Sequence, residues 1–324
     1  MLKDSSVRTR AYISTMNRLG WGLVIFFVSF YVFSIASELI ITEVEYFGNP
    51  VATSLVEGVL SPICYMAPFF LGGICFYAFS RKKETQRILY EVKLPPVFPL
   101  LILAGFGIIT TAAYLNNILC ELIGYSIPDE LIYGTYDNPY TVIGYMATAL
   151  APAFAEEFLF RGVVYGNLRP FGRTQAILIS ATLFALMHQN IGQIFYTFAA
   201  GIVMALMYEL TGSIWCGVLY HMLNNQLSVI TDVLYNGMFG NSIEPLLIAW
   251  DIVLCVLGFA AILVLVFYYK NKGKEAITQG SAVGREGLPS WAIRKGITTS
   301  GMLVFSIASI LSMLFTYLMI ILLY

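Results

Sequence analysis

Runs of apolar residues recur along the chain, broken by short polar stretches. A helix needs about 20 mostly apolar residues to cross the hydrocarbon of a bilayer. On that criterion nine segments are predicted: 21–41, 59–79, 97–119, 140–168, 174–188, 191–209, 213–230, 246–269 and 302–324. They are hydrophobic on all sides, so they face lipid or one another. The shortest break, Gln189-Asn190-Ile191-Gly192, divides the fifth from the sixth. Ser34-Ile35-Ala36 loosely resembles a signal cleavage site. The apolar run continues through Leu39-Ile40-Ile41 after a long basic lead-in, so a retained helix is expected. The pattern thus predicts an all-α, polytopic transmembrane bundle of about nine helices, a multi-pass integral membrane protein (in the plasma membrane if the source is bacterial).

Composition strengthens this reading. Of the 324 residues, 58% are hydrophobic and 11% charged, where soluble domains carry about 25% charged residues. Seventeen of the 18 Lys and Arg residues lie before the first segment or between segments two and three, four and five, or eight and nine. Those breaks share one side of a nine-helix chain. Basic residues gather in cytoplasmic loops, so the N-terminus is expected in the cytoplasm. The eighteenth is Arg161, inside segment four. A net charge of −1 gives no basic surface for nucleic acid. The five cysteines are scattered through apolar stretches without a C-x-x-C pair, and read as small apolar packing residues.

Four regions follow: a two-helix membrane region (1–96), a core (97–269), a polar, basic linker expected to be flexible and cytoplasmic (270–301), and an extra C-terminal helix (302–324). That last helix reads as a packing or anchoring element. The Tyr-, Pro- and Asp-rich loop 124–139 is a lid or an ordinary surface loop.

A charged side chain in hydrocarbon costs about 2.5–3.5 kcal/mol on insertion scales and marks pairing or function. Glu38, Glu121, Asp232 and Asp251 lie near predicted outer ends, and Glu209 at an inner end, where interfacial placement suffices. Glu156, Glu157 and Arg161 lie deep in segment four. Glu157 and Arg161, at i and i+4, share a face and are expected to form an ion pair. Glu156 points about 100° away and is free for another role. Both histidines of the chain lie in membrane segments. In an antiparallel hairpin turning near Phe171, His188 falls at nearly the depth of Glu156. Phe184, one turn before His188, is placed to buttress its ring. His221 and Asn225 present an imidazole and an amide on one face of segment seven. A carboxylate, two imidazoles and an amide can therefore converge in one cavity.

Together E-E-x-x-x-R (Glu156, Glu157, Arg161), F-x-x-x-H (Phe184, His188) and H-x-x-x-N (His221, Asn225) resemble the CPBP family. These are the CAAX proteases and bacteriocin-processing (Abi) enzymes, related to the type II CAAX prenyl endopeptidase. The resemblance covers roughly 97–269. It implies an intramembrane endopeptidase in which Glu156 is the general base, His188 helps hold the water, and His221 with Asn225 stabilises the oxyanion. Glu157, Arg161 and Phe184 would give structural support. It implies a hydrophobic or lipidated peptide as substrate and membrane lipids as surroundings.

No H-E-x-x-H motif occurs. Glu156, His188 and His221 still offer three ligands for Zn²⁺ with an open position, and the sequence leaves metal dependence open. Two other readings stand beside the protease. A proton-coupled transporter would use the acids and imidazoles as a relay, but the paired broken helices and pseudo-repeats it needs are not found. A non-catalytic peptide-binding or immunity protein would keep the cavity for recognition alone.

Overall fold

A computed structural model describes residues 5–48, 50–80, 85–125, 150–272 and 287–323. The described elements are helical, with no strand among them. Helix α1 spans Ser5–Tyr46, α2 Pro50–Ala78 and α3 Phe98–Leu122. Helix α4 covers 150–168, and within it Phe158–Tyr165 widens into a π-helix. Then come α5 (Arg173–Met187), α6 (Ile194–Thr211), α7 (Ile214–Asp232) and α8 (Glu244–Lys272). A short α9 (Ser290–Ile297) precedes α10 (Ser300–Leu323).

Each of the nine predicted segments carries a helix. Residues 140–149 of the fourth, and nearly all of the loop 124–139, lie outside the described residues. Among the described residues, 6 helical stretches are long and apolar enough to cross a membrane, one of which, Ile214–Asn271, contains both α7 and α8. Helix α5 is apolar but shorter. The architecture is that of an integral, multi-pass membrane protein.

Three expectations change. The basic lead-in to segment one is itself helical and part of α1. Tyr12, Met16, Leu19, Leu23 and Phe26 form one buried stripe at alternating four- and three-residue spacing, which is a helix face. Tyr12 meets Phe171 edge-on at 5.4 Å, and Arg8 donates to the Phe171 carbonyl at 2.9 Å. The second change falls in the expected linker, which contains α9. Its residues Ala292 and Gly296 are buried, the latter against Tyr12.

The third concerns Glu209, which does not reach outward to headgroups. Its side chain is 6% exposed and is held by Arg173 Nε at 2.5 Å, Arg169 Nη1 at 3.6 Å and the Tyr165 hydroxyl at 2.6 Å. The turn of the α4–α5 hairpin is thereby tied to α6 by buried charge. Glu38 and Glu121 are exposed as expected. Asp251 accepts from the Tyr114 hydroxyl at 3.0 Å and Asp232 from the Asn236 amide at 2.6 Å.

The outer helices are locked on by close approach. A Cβ on Gly20 would lie 2.2 Å from the Met302 amide nitrogen, and one on Gly301 2.6 Å from that of Trp21. Two glycines thus let α1 and α10 touch backbone to backbone, a small-residue contact suited to lipid surroundings. The segment before α3 is pinned under α6 and α7. Leu89 N–H donates to the Tyr208 hydroxyl at 3.0 Å, Trp215 Nε1 to the Tyr90 carbonyl at 2.8 Å, and Ser213 to the Glu91 carbonyl at 2.6 Å.

Candidate active site

Helix phase sends the two adjacent acids to different partners. Glu157 is fully buried, and its Oε1 lies 2.9 Å from Arg161 Nη1, the ion pair expected from i, i+4 spacing. The Arg161 guanidinium carbon sits 4.3 Å from the centre of the Phe184 ring, a cation–π contact. Phe184 is therefore the floor under a buried cation. On α7, Gly217 makes room for the acid: a Cβ there would lie 2.8 Å from Glu157 Oε2. The π-helix Phe158–Tyr165 begins directly after the two acids and contains Arg161. Such segments store non-standard backbone geometry and occur frequently at functional sites. Ser180 of α5 donates to the Phe160 carbonyl at 2.9 Å.

Glu156, 2% exposed, turns the other way. Its Oε1 accepts from the Tyr65 hydroxyl of α2 at 2.6 Å. Its Oε2 lies 3.9 Å from His221 Nε2, beyond hydrogen-bond length, and takes no hydrogen bond from the described residues.

His221 stands between the two acids. Its Nδ1 lies 3.2 Å from Glu157 Oε1. A carboxylate only accepts, so Nδ1 carries the proton and Nε2 faces Glu156. His188 is oriented by its own helix: Nδ1 donates to the Phe184 carbonyl at 2.9 Å, which leaves Nε2 as the ring's outward atom. The His188 ring packs edge-on against Phe184 at 4.8 Å, and Phe184 lies 6.2 Å from His221.

His188, His221, Asn225 and Phe184 line one cavity of about 290 Å³, with Tyr196 and Asn224 beside them. The structure therefore brings the two imidazoles and the amide to one space. Glu156 adjoins it through His221. Glu157 and Arg161 sit behind, as supporting charges. Among the described residues no group of three or more His, Cys, Asp and Glu side chains is arranged to hold a metal ion.

Two tyrosines escaped the sequence reading. Tyr65 lies on α2, outside the stretch that carries the motifs, and is bracketed by Pro62 and Pro68. Tyr196 lines the cavity. The chain has 21 tyrosines, and nothing in the local pattern singles out these two. The turn after His188 is also more tightly held than its sequence suggests. Gln189 adopts φ 51°, an uncommon left-handed conformation for a residue with a side chain. Its side-chain oxygen accepts from Tyr31 of α1 and Ser312 of α10.

Residues 138–227 match the family model described as type II CAAX prenyl endopeptidase Rce1-like. The match is narrower than the resemblance expected over 97–269, yet it holds every residue of the three motifs. No curated protein and no solved structure gives a significant match to the chain.

Proposed function

Because the chain carries an Rce1-like domain over 138–227, a membrane-endopeptidase signature, we propose that it hydrolyses a peptide bond by water activated at Glu156. The observation that carries this reading is the placement of His221. One of its ring nitrogens is 3.2 Å from Glu157 and the other 3.9 Å from Glu156, while His188 and Asn225 line the same cavity.

The steps follow from the groups present. Glu156 Oε1 is engaged by Tyr65, so Oε2 is the oxygen that takes the proton as water attacks the scissile carbonyl carbon. His188, fixed through Nδ1, offers Nε2 to hold that water. The carbonyl oxygen gains negative charge. Asn225 and His221 donate to it. One such donor in a dry, preorganised site is worth about 3–4 kcal/mol of transition-state stabilisation. As the intermediate collapses, the C–N bond breaks and the proton on Glu156 passes to the leaving amine. Glu157, paired with Arg161, keeps the histidine oriented.

The substrate class is a hydrophobic or prenylated peptide, drawn from the surrounding lipid. The test uses full-length protein in lipid nanodiscs with two quenched fluorogenic hydrophobic peptides, one bearing an S-farnesyl cysteine near its C-terminus. Wild type is expected to cleave at least one, and Glu156→Gln and His188→Ala to lose about 10²–10⁴ in rate. Cleavage of neither peptide, or unchanged cleavage by both variants, contradicts the reading. Chelator is expected to leave the rate intact. Loss on chelation with recovery on added zinc would instead assign Glu156, His188 and His221 as metal ligands.

A further inference from the structure

The motif-bearing domain supplies the imidazoles, the amide and the acid, but not everything that holds the acid. Glu156 Oε1 accepts from the hydroxyl of Tyr65 at 2.6 Å. Tyr65 belongs to α2, outside the stretch 138–227. Its ring is fixed by neighbours on two helices, tilted against Phe69 at 5.2 Å and edge-on to Phe30 of α1 at 5.8 Å. It also lines a cleft of about 470 Å³ between α1 and α2, whose walls carry Ser37, Ser61, Glu38 and Glu57. Tyr65 is absent from the lining of the His188–His221 cavity. The phenol therefore reaches the acid from the side of α1 and α2 and not through the His188–His221 cavity.

The geometry points to Tyr65 as a positioning residue for Glu156, an inference that rests on the proposed role of Glu156 as base. A carboxylate has two equivalent oxygens and a free torsion. A short charge-assisted bond to one of them removes that freedom and leaves the other, Oε2, as the single basic atom. The donor acts identically whether a substrate is bound or not, so it belongs to the rate of the chemical step and not to affinity. A misplacement of about 1 Å at a reacting group can cost about 10²-fold in rate, and a carboxylate freed to rotate moves its oxygens by that much. The first two helices thus complete the catalytic machinery of the domain.

The test compares Tyr65→Phe with Glu156→Gln and wild type in the nanodisc assay, using whichever fluorogenic peptide wild type cleaves, with thermal unfolding of all variants and of the double variant. Tyr65→Phe is expected to lower kcat about tenfold or more with KM unchanged. Its effect on Tm should be non-additive with that of Glu156→Gln, since the first removes the donor and the second weakens the acceptor of one bond. That second readout holds even if Tyr65→Phe folds poorly. Unchanged kcat in Tyr65→Phe beside a silent Glu156→Gln overturns this inference and leaves the general-base reading standing. A rise in KM alone, or strictly additive shifts in Tm, likewise overturns it. Full cleavage by Glu156→Gln removes the general-base reading itself, and this inference with it.

Discussion

Two buried clusters of charge lie along α4, one within it and one at its C-terminal end, and they are built on opposite principles. At the α4–α5 turn, the single acid Glu209 is held by Arg169, Arg173 and the Tyr165 hydroxyl, and both of its oxygens are engaged. In the middle of the helix, Glu156 and Glu157 share one arginine and one histidine. There, Oε2 of each acid takes no hydrogen bond from the described residues. A buried carboxylate oxygen left without a donor is costly, and a fold that only needed to anchor helices would supply one. The cluster at the turn meets that standard; the central one does not. The difference is the one expected between a fastening and the proposed reaction site.

Substitutions can break or sharpen this contrast. The largest stability effect is expected for Arg161→Met, which strands Glu157 without its cation. Removing one partner of a buried pair costs about 3–5 kcal/mol, read as a large fall in Tm in nanodiscs. A fall in Tm no greater than that of an exposed substitution would mean that Glu157 is already neutral. Glu209→Gln is next. It gives up charge-assisted bonds worth about 1.5–3 kcal/mol, yet it should keep wild-type kcat in the molecules that remain folded. Loss of kcat at unchanged Tm would erase the distinction between the clusters. The smallest effect is expected for Ser312→Ala, which removes one donor to Gln189 beside His188. A loss of about 1 kcal/mol or less, with a modest decrease in kcat, would show that α10 steadies the histidine turn. No change in either quantity would leave α10 a packing helix alone.

These contrasts also show what a sequence can carry. Long apolar runs announce their helices, because membrane thickness sets a length. The Glu157–Arg161 pair was legible because spacing within one helix fixes it. The convergence of His188, His221 and Asn225 was legible because both histidines lie opposite buried acids. Contacts that depend on which helices become neighbours left no mark. The donor to Glu156 comes from Tyr65, some ninety residues away, and a tyrosine in a greasy helix looks like any other. Glu209 read as interfacial because the folding of Arg169 and Arg173 onto it is a tertiary event. The early part of α1 was missed for a different reason. Its buried stripe, Tyr12–Met16–Leu19, was present in the sequence, but a search for unbroken apolar length passes over an amphipathic face.

The account rests on Glu156 as the atom source of base catalysis, held by Tyr65 and facing His221. The most direct test is the cleavage rate of Glu156→Gln beside wild type in lipid nanodiscs, with Tm measured on the same samples. A loss of about 10²–10⁴ in rate is predicted with Tm unchanged or raised, since the amide oxygen still accepts from the Tyr65 hydroxyl. Wild-type cleavage by a stably folded Glu156→Gln protein would contradict it.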